Sequence, residues 1–212
     1  MNIAEIIVWA GALLSSYLVG SIPIGYLMVK ALKGLDIRQF GSGNVGATNV
    51  IRVLGKGPGI LTLVLDVSKG LLAVLIIAPL IAKYLPASRS ELQLGCGIAA
   101  ICGHNWTCFL RFKGGKGIAT SAGVFLGLAP IVMLCLLGIW GIMAFLTRYV
   151  SAASIVTSMA LPILLYVFNR PIEWVIAGFV LSWVSIIKHR SNIKRLLNGT
   201  EHRIGEKTEV RR

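Results

Sequence analysis

The sequence predicts an all-α integral membrane protein, a bundle of seven spanning helices with its N-terminus outside and its C-terminus cytoplasmic. Three observations lead there. Of 212 residues, 56% are hydrophobic and only 14% are charged, whereas a water-soluble domain carries about 25% charged residues. The apolar residues come in continuous runs, such as Leu71 to Ile81, rather than alternating with polar ones. That pattern suits spanning helices and not a membrane barrel. The basic residues gather in a few connections, as the positive-inside bias of membrane loops requires.

The apolar segments lie at about 4–29, 58–82, 92–110, 118–147, 151–168 and 171–187. Glu5 is the only charge before Lys30, so the first reads as a spanning helix and not as a cleaved leader. The fourth is long and carries Pro130 near its middle. Proline removes a backbone donor and disfavours helix at the residue before it. Either one kinked helix or two short ones, about 118–129 and 131–147, fit that stretch. Charge decides between them. Lys30, Lys33, Arg38, Arg52 and Lys56 enrich the connection 30–57, and Arg111, Lys113 and Lys116 enrich 111–117. The tail from Lys188 is the third basic region, with Arg190, Lys194, Arg195, Arg203, Lys207, Arg211 and Arg212. All three share one side only if 118–147 crosses twice, at the cost of two short helices that tilt inward or thin the bilayer. The connection 83–91 carries only Lys83 and Arg89, which fits the opposite side. No linker or second domain is visible, and 1–212 reads as a single polytopic membrane domain.

Lys+Arg number 21 against 8 Asp+Glu, a formal charge of +13. Positive-inside loops explain part of that, and anionic substrates or lipid headgroups are the functional partners it suits. Nucleic acid is not expected, because the basic residues sit in short loops between spans. Cys96, Cys102, Cys108 and Cys135 form no C-x-x-C pair and lie in apolar stretches, so neither a disulfide framework nor a metal site is expected.

Three polar elements carry chemistry. The first runs from Asp36 to Arg52 and contains Gly41, Ser42, Gly43, Asn44, Gly46, Thr48 and Asn49. Its glycines permit positive φ, so that successive N–H groups can converge on an anion. Thr48 and Arg52 stand at i and i+4, on one face of a helix, and the Arg52 fork suits phosphate oxygens. Gly41 to Thr48 matches the spacing of a nucleotide-binding P-loop, but Ala47 stands where the lysine is needed and no strand precedes it. The second element is Lys113-Gly114-Gly115-Lys116-Gly117, two ammonium groups on a flexible backbone just before a helix start. Trp106 before it suits an interfacial anchor, and His104 suits either a site or helix packing. The third is the run from Lys188 through His189, Asn192 and Lys194 to Glu201, in which His189 and Asn192 stand at i and i+3. A basic amphipathic tail on anionic lipid is the plain reading of that run, and a substrate role for His189 the sharper one. Asp66 and Lys69, i and i+3 within the second span, are read as a neutralising pair.

Together these elements resemble the bacterial acyl-phosphate:glycerol-3-phosphate acyltransferases, the PlsY family. The likeness covers nearly the whole chain. It rests on Gly20-Ser-Ile-Pro-Ile-Gly-Tyr26, on Gly41-Ser-Gly-Asn-Val-Gly-Ala-Thr-Asn49 with Arg52, on Leu65-Asp-Val-Ser-Lys-Gly70, on Gly103-His-Asn-Trp106 with Phe112-Lys-Gly-Gly-Lys-Gly117, and on Lys188-His-Arg-Ser-Asn192. It implies a seven-helix enzyme of the bacterial inner membrane, with its active site facing the cytoplasm. Such an enzyme moves a fatty acyl group from acyl phosphate to the sn-1 hydroxyl of glycerol 3-phosphate, giving lysophosphatidic acid and phosphate. No cofactor or metal is implied, and the expected partners are the two substrates and membrane lipids, with the chain a monomer. The residues suit that reaction independently, since two phosphate-bearing substrates need two anion sites. Ser42, Asn44, Thr48 and Arg52 are expected to hold the acyl phosphate. Lys113, Lys116, Lys188, His189 and Asn192 are expected to hold glycerol 3-phosphate. The proton goes to His189 or to a substrate phosphate oxygen, and the two loops can also exchange roles. The His-x4-Asp motif of other glycerophosphate acyltransferases does not occur: Phe109, Lys194 and Lys207 stand five residues after His104, His189 and His202. The rival reading is a transporter of a small organophosphate, although transporter sites lie near the midplane and these anion-binding groups cluster at one face.

Overall fold

The computed structural model describes residues 2–84 and 89–206. Lys207, Arg211 and Arg212 of the basic tail and part of the connection 83–91 lie outside the described residues. Those described form helices and turns, with no strand among them. They fall into two compact units, one up to Leu128 and the other Ala129–Glu206.

The first unit opens with α1 (Ile3–Ser21) and α2 (Ile24–Lys33). Asn2 and Glu5 close a reciprocal capping box at the start of α1, which gives Glu5 its place. The apolar segment expected as one helix is broken at Ile22 and Pro23. Ile22 takes φ −56°, ψ 113°, because the following proline ring excludes helical backbone there. Then come α3 (Ala47–Leu54) and α4 (Lys56–Leu72), which runs through a π-helical stretch, Ala73–Ile77, into α5 (Ala78–Ala82). Gln93 Nε2 donates to the Val74 carbonyl at 3.0 Å inside that stretch. Next come α6 (Arg89–Asn105) and α7 (Ile118–Leu128). The apolar segment 92–110 is therefore helical only to Asn105; Cys108–Leu110 forms a separate 3-10 turn.

Small residues set the packing of this unit. Ala12, Ala73, Ala78, Leu92, Cys96 and Ala100 form a buried core. Gly70 of α4 lies against the Thr120 carbonyl of α7, and Gly123 of α7 lies reciprocally against the Val67 carbonyl of α4. Such close backbone approach is how helices associate where lipid supplies no hydrophobic drive. The polarity of α4 is inverted relative to a water-soluble helix. Its buried residues are Gly59, Thr62, Asp66, Lys69 and Gly70, while Ile60, Leu61, Leu63, Val64 and Leu65 face outward. An apolar surround makes that arrangement favourable; water would not.

The second unit contains α8 (Pro130–Thr147), α9 (Val150–Val167), α10 (Ile172–Lys188) and α11 (Arg190–Leu197). Pro130 begins α8, where its missing N–H costs nothing, and Ala129 before it has φ −143°. The expected break in 118–147 thus falls at Ala129. In α9 and α10 the buried positions include Ser151, Ser154, Ser182 and Ser185, while Ile163, Phe179 and Trp183 point outward. The axis bends by 58° between α10 and α11.

Among the described residues, four helical segments are long and apolar enough to cross a membrane: Ile3–Lys33, Lys56–Ala82, Pro130–Thr147 and Val150–Val167. The bent pair Ile172–Lys188 and Arg190–Leu197 makes a fifth. α6 is not among them, its length being 17 residues with Glu91 and Gln93 in its first turns. α7 has 11 residues, roughly 16 Å of helix against a hydrocarbon core of about 30 Å.

Candidate active site

In the first unit, the polar connection after α2 is shaped by its own side chains. Gly34 ends α2 with φ 71°. Asp36 accepts from the Arg38 backbone and grips the Arg38 guanidinium through Oδ1 and Oδ2, with Arg38 Nη2 at 2.6 Å from Oδ2. The hydrogen-bonded guanidinium holds the Asp36 carboxyl below its ordinary value. Arg38 also lies over the Tyr26 ring, 5.5 Å from its centroid. This arginine, which in the sequence registers only as positive charge, is thus committed locally.

Asn49 organises the glycine-rich turn between Phe40 and Gly46. It is 1% exposed. Its Oδ1 accepts from the Ser42 amide at 3.0 Å, and its Nδ2 donates to the carbonyls of Phe40 and Asn44 at 3.0 and 2.8 Å. Asn44 Oδ1 in turn accepts from the Gly46 amide at 2.8 Å, and Gly43 N–H bonds Phe40 O. The amides of Ser42, Gly43 and Gly46 are therefore spent inside the loop, not gathered into an anion nest. Gly41 and Gly43, at φ 58° and 71°, serve to close the turn. From Gly46 the chain enters α3, which carries half-buried Thr48 and Arg52 one turn apart. The helix start brings the orphan amides and the positive dipole end that suit an anion.

The glycine-lysine loop is held against the last turn of α6. Gly115 N–H bonds the His104 carbonyl at 2.9 Å. A side chain at Gly114 would meet that carbonyl, one at Gly115 would enter the His104 ring, and one at Gly117 would meet the Asn105 amide. These glycines are required because the loop lies flat on His104 and Asn105. Lys113 is exposed and Lys116 half-buried. Leu110, just before them, packs with Val29, Ile37, Val45 and Val50, so the two loops of this unit share one small core.

Between the loops lies a recess bounded by Ser21 to Gly25, Val45, Asp66, Lys69, His104 and Thr107. Asp66 is 2% exposed; its Oδ1 sits 2.9 Å from Lys69 Nζ and 3.5 Å from His104 Nδ1. Lys69 also donates to the Ile22 carbonyl at 3.2 Å, and Thr107 Oγ1 donates to the Ser21 carbonyl. Both carbonyls belong to the break before Pro23, so buried polar groups left by the proline find partners here. The expected Asp66–Lys69 pair is present, with His104 added to it.

In the second unit, His189 closes α10, its N–H bonding Ser185 O and Ile186 O. His189 Nδ1 lies 2.9 Å from the Ser185 carbonyl. A carbonyl only accepts, so Nδ1 carries the proton and, in the neutral ring, Nε2 carries the lone pair. Asn192 Nδ2 donates to Glu201 Oε1 at 2.8 Å, Ser151 Oγ donates to the same oxygen at 3.0 Å, and Arg195 Nε reaches Oε2 at 2.7 Å. Burial pushes the Glu201 carboxyl up, but the bonds from Asn192 and Arg195, the Arg195 charge and Ser151 outweigh it and hold it below its ordinary value. Asn192 is therefore a brace between α11 and the tail. The sequence assigns Glu201 no role; only its position at the end of the third polar run points to it. Lys188 is half-buried, and Lys194 is exposed on α11.

A helical protein whose outward faces are apolar and whose polar and charged residues are turned inward or gathered in loops has the make-up of an integral membrane protein. The glycerol-3-phosphate acyltransferase family model matches residues 10–199. The chain belongs to that family, the PlsY family, and is an acyltransferase of phospholipid biosynthesis. It is 44% identical over 199 residues to the glycerol-3-phosphate acyltransferase of Gloeobacter violaceus, covering 94% of each chain. It is also 44% identical over 200 residues to glycerol-3-phosphate acyltransferase 2 of Moorella thermoacetica, covering 94% of this chain and all of that one. Two crystal structures of PlsY, an integral membrane glycerol 3-phosphate acyltransferase, share the fold at 39% identity. The glycerol 3-phosphate form has a TM-score of 0.83 over 93% of this chain and 96% of that one. The lysophosphatidic acid form has 0.81 over 93% and 95%.

Proposed function

We propose that the enzyme transfers a fatty acyl group from acyl phosphate to the sn-1 hydroxyl of glycerol 3-phosphate, at the cytoplasmic face of the bacterial inner membrane. The observation that carries this is the pair of PlsY structures, one in a glycerol 3-phosphate form and one in a lysophosphatidic acid form, which differ by one acyl group. The hydroxyl oxygen bonds to the acyl carbonyl carbon, the bond from that carbon to the phosphate oxygen breaks, and inorganic phosphate leaves. Phosphate is a good leaving group, so catalysis reduces to positioning and charge stabilisation.

Ser42, Asn44, Thr48, Arg52 and the amides starting α3 are assigned to the acyl phosphate. Lys113 and Lys116 on Gly114, Gly115 and Gly117 are assigned to glycerol 3-phosphate, and within the second unit Lys188, His189 and Lys194 are assigned as groups for an anionic substrate. Gly41, Gly43, Gly46, Asn49 and Asn192 hold these groups in place. Two proton acceptors are chemically competent, His189 Nε2 and a substrate phosphate oxygen. Substantial turnover by His189→Ala at saturating substrate would remove the first.

The donor is tested by giving purified protein palmitoyl phosphate, palmitoyl-CoA or palmitoyl acyl carrier protein with glycerol 3-phosphate, and analysing the lysophosphatidic acid by regioisomer. The 1-acyl product from palmitoyl phosphate alone is expected; product from the thioesters refutes the donor. We further propose seven spans, in which α6 and the pair α7 and α8 cross separately, with the N-terminus outside. Ala129 is fully buried, so the probe is its neighbour Ile131, which is outward-facing. Ile131→Cys should react with an impermeant maleimide from outside the cell, and Arg203→Cys only after permeabilisation. The reverse labelling contradicts the topology.

A further inference from the structure

We propose that His104, held by Asp66, is a positioning residue: its ring is the platform that sets the height of the Lys113–Gly117 anion loop. The proposal rests on the reading of that loop as phosphate-binding. Four observations carry it. His104 is buried at 7% exposure, next to the last residue of α6, and takes no part in the reaction as assigned. Its ring lies directly beneath Gly115, where an added methyl would meet three ring atoms and nothing else closer. Its carbonyl accepts the Gly115 amide, so backbone and side chain of one residue grip one glycine. Finally, a charged pair lies beside the ring. Asp66 Oδ1 faces Nδ1 at 3.5 Å, and Lys69 anchors Asp66 while bonding the Ile22 carbonyl.

The chain of contacts runs from the proline break, through Lys69, Asp66 and His104, to the loop. Backbone donors and two ammonium groups aimed at a phosphate must be held within a fraction of an ångström, and a loop alone does not supply that. A buried carboxylate and lysine inside a span are paired with each other or functional, and these two are paired. Orienting the ring under the glycine is a use for them that simple charge neutralisation does not explain.

The contact at Gly115 makes the proposal testable by suppression. Gly115→Ala forces the loop off the ring and should raise KM for glycerol 3-phosphate roughly tenfold or more, with kcat changing less. His104→Ala removes the platform and should raise the same KM. Combined, His104→Ala with Gly115→Ala should be no worse than His104→Ala alone, because the methyl then occupies the space of the ring. Multiplying losses in the double variant, or an unchanged KM in His104→Ala, overturns the proposal. A loss of kcat at unchanged KM does so too, since it would place His104 on the reaction itself.

A readout without turnover guards against variants that merely fail to fold. Hydrogen exchange of the peptide covering 106–118 should quicken in His104→Ala, while peptides from α8 and α9 keep their protection. Acceleration throughout the chain would make His104 a general stability residue and refute the specific role. Lys116→Ala separates the two readings: unchanged KM there sinks the phosphate-loop assignment, whatever His104 does.

Discussion

At the scale of single residues, the polar groups divide into those aimed outward for chemistry and those turned inward to build the loops. Asn49 belongs to the second kind. Its amide makes one acceptor and two short donor bonds to loop backbone. Asn49→Ala should cost about 3 kcal/mol, from lost bonds and orphaned carbonyls. Asn49→Asp should cost more, because a carboxylate oxygen would then face the carbonyls of Phe40 and Asn44. Thermal unfolding in detergent compares the two, and an Asp variant as stable as the parent contradicts the assignment. Glu201 behaves likewise. Its folded-state value lies below its ordinary 4.5, so its contribution is fully present above that pH and is lost as pH falls toward the depressed folded value. Glu201→Gln should destabilise the protein by about 2 kcal/mol at pH 7. The gap should narrow as pH falls below the ordinary value, and a gap independent of pH refutes the role.

This scale also shows what the sequence could carry. The motif residues are visible as residue types at telling spacings, and the sequence places Thr48 and Arg52 correctly on one helical face. Their division of labour is not legible. The Asn49 side chain could equally donate to a ligand, and only its backbone partners decide otherwise. The glycines of 114–117 read as freedom for an anion nest, whereas contact with His104 and Asn105 is what excludes a side chain. Glu201 finds Ser151, fifty residues away, and no local pattern announces such a pairing.

At the scale of elements, most helices are legible because long apolar runs leave few alternatives. The breaks follow from two prolines, Pro23 and Pro130. The second stands out in the sequence, but the first is merged into one span, because the apolar run continues across it. The early end of α6 at Asn105 is hidden for the same reason, since Trp106 to Leu110 remain apolar while forming turns. Helix pairing depends on reciprocal glycines whose contacts need the fold to be seen. Gly123→Leu should separate α7 from α4, because the Val67 carbonyl occupies the space. The expected result is a fall in stability of about 3 kcal/mol or failure to accumulate. Gly138→Leu, a glycine with open space around it, should be tolerated, and equal damage at both positions contradicts the packing account.

At the scale of the whole molecule, the inverted polarity of the helices suits an integral membrane acyltransferase, and the proposal is that its basic loops meet water-soluble anions while the acyl chain stays in the apolar phase. The +13 charge suits two anionic substrates and anionic lipid together. Phosphate release and lysophosphatidic acid formation, measured together in the purified enzyme supplied with palmitoyl phosphate, test this most directly. One phosphate per lysophosphatidic acid is expected, both dependent on glycerol 3-phosphate and both lost in Arg52→Ala. Phosphate release that continues without glycerol 3-phosphate, or an unaffected Arg52→Ala enzyme, would contradict it.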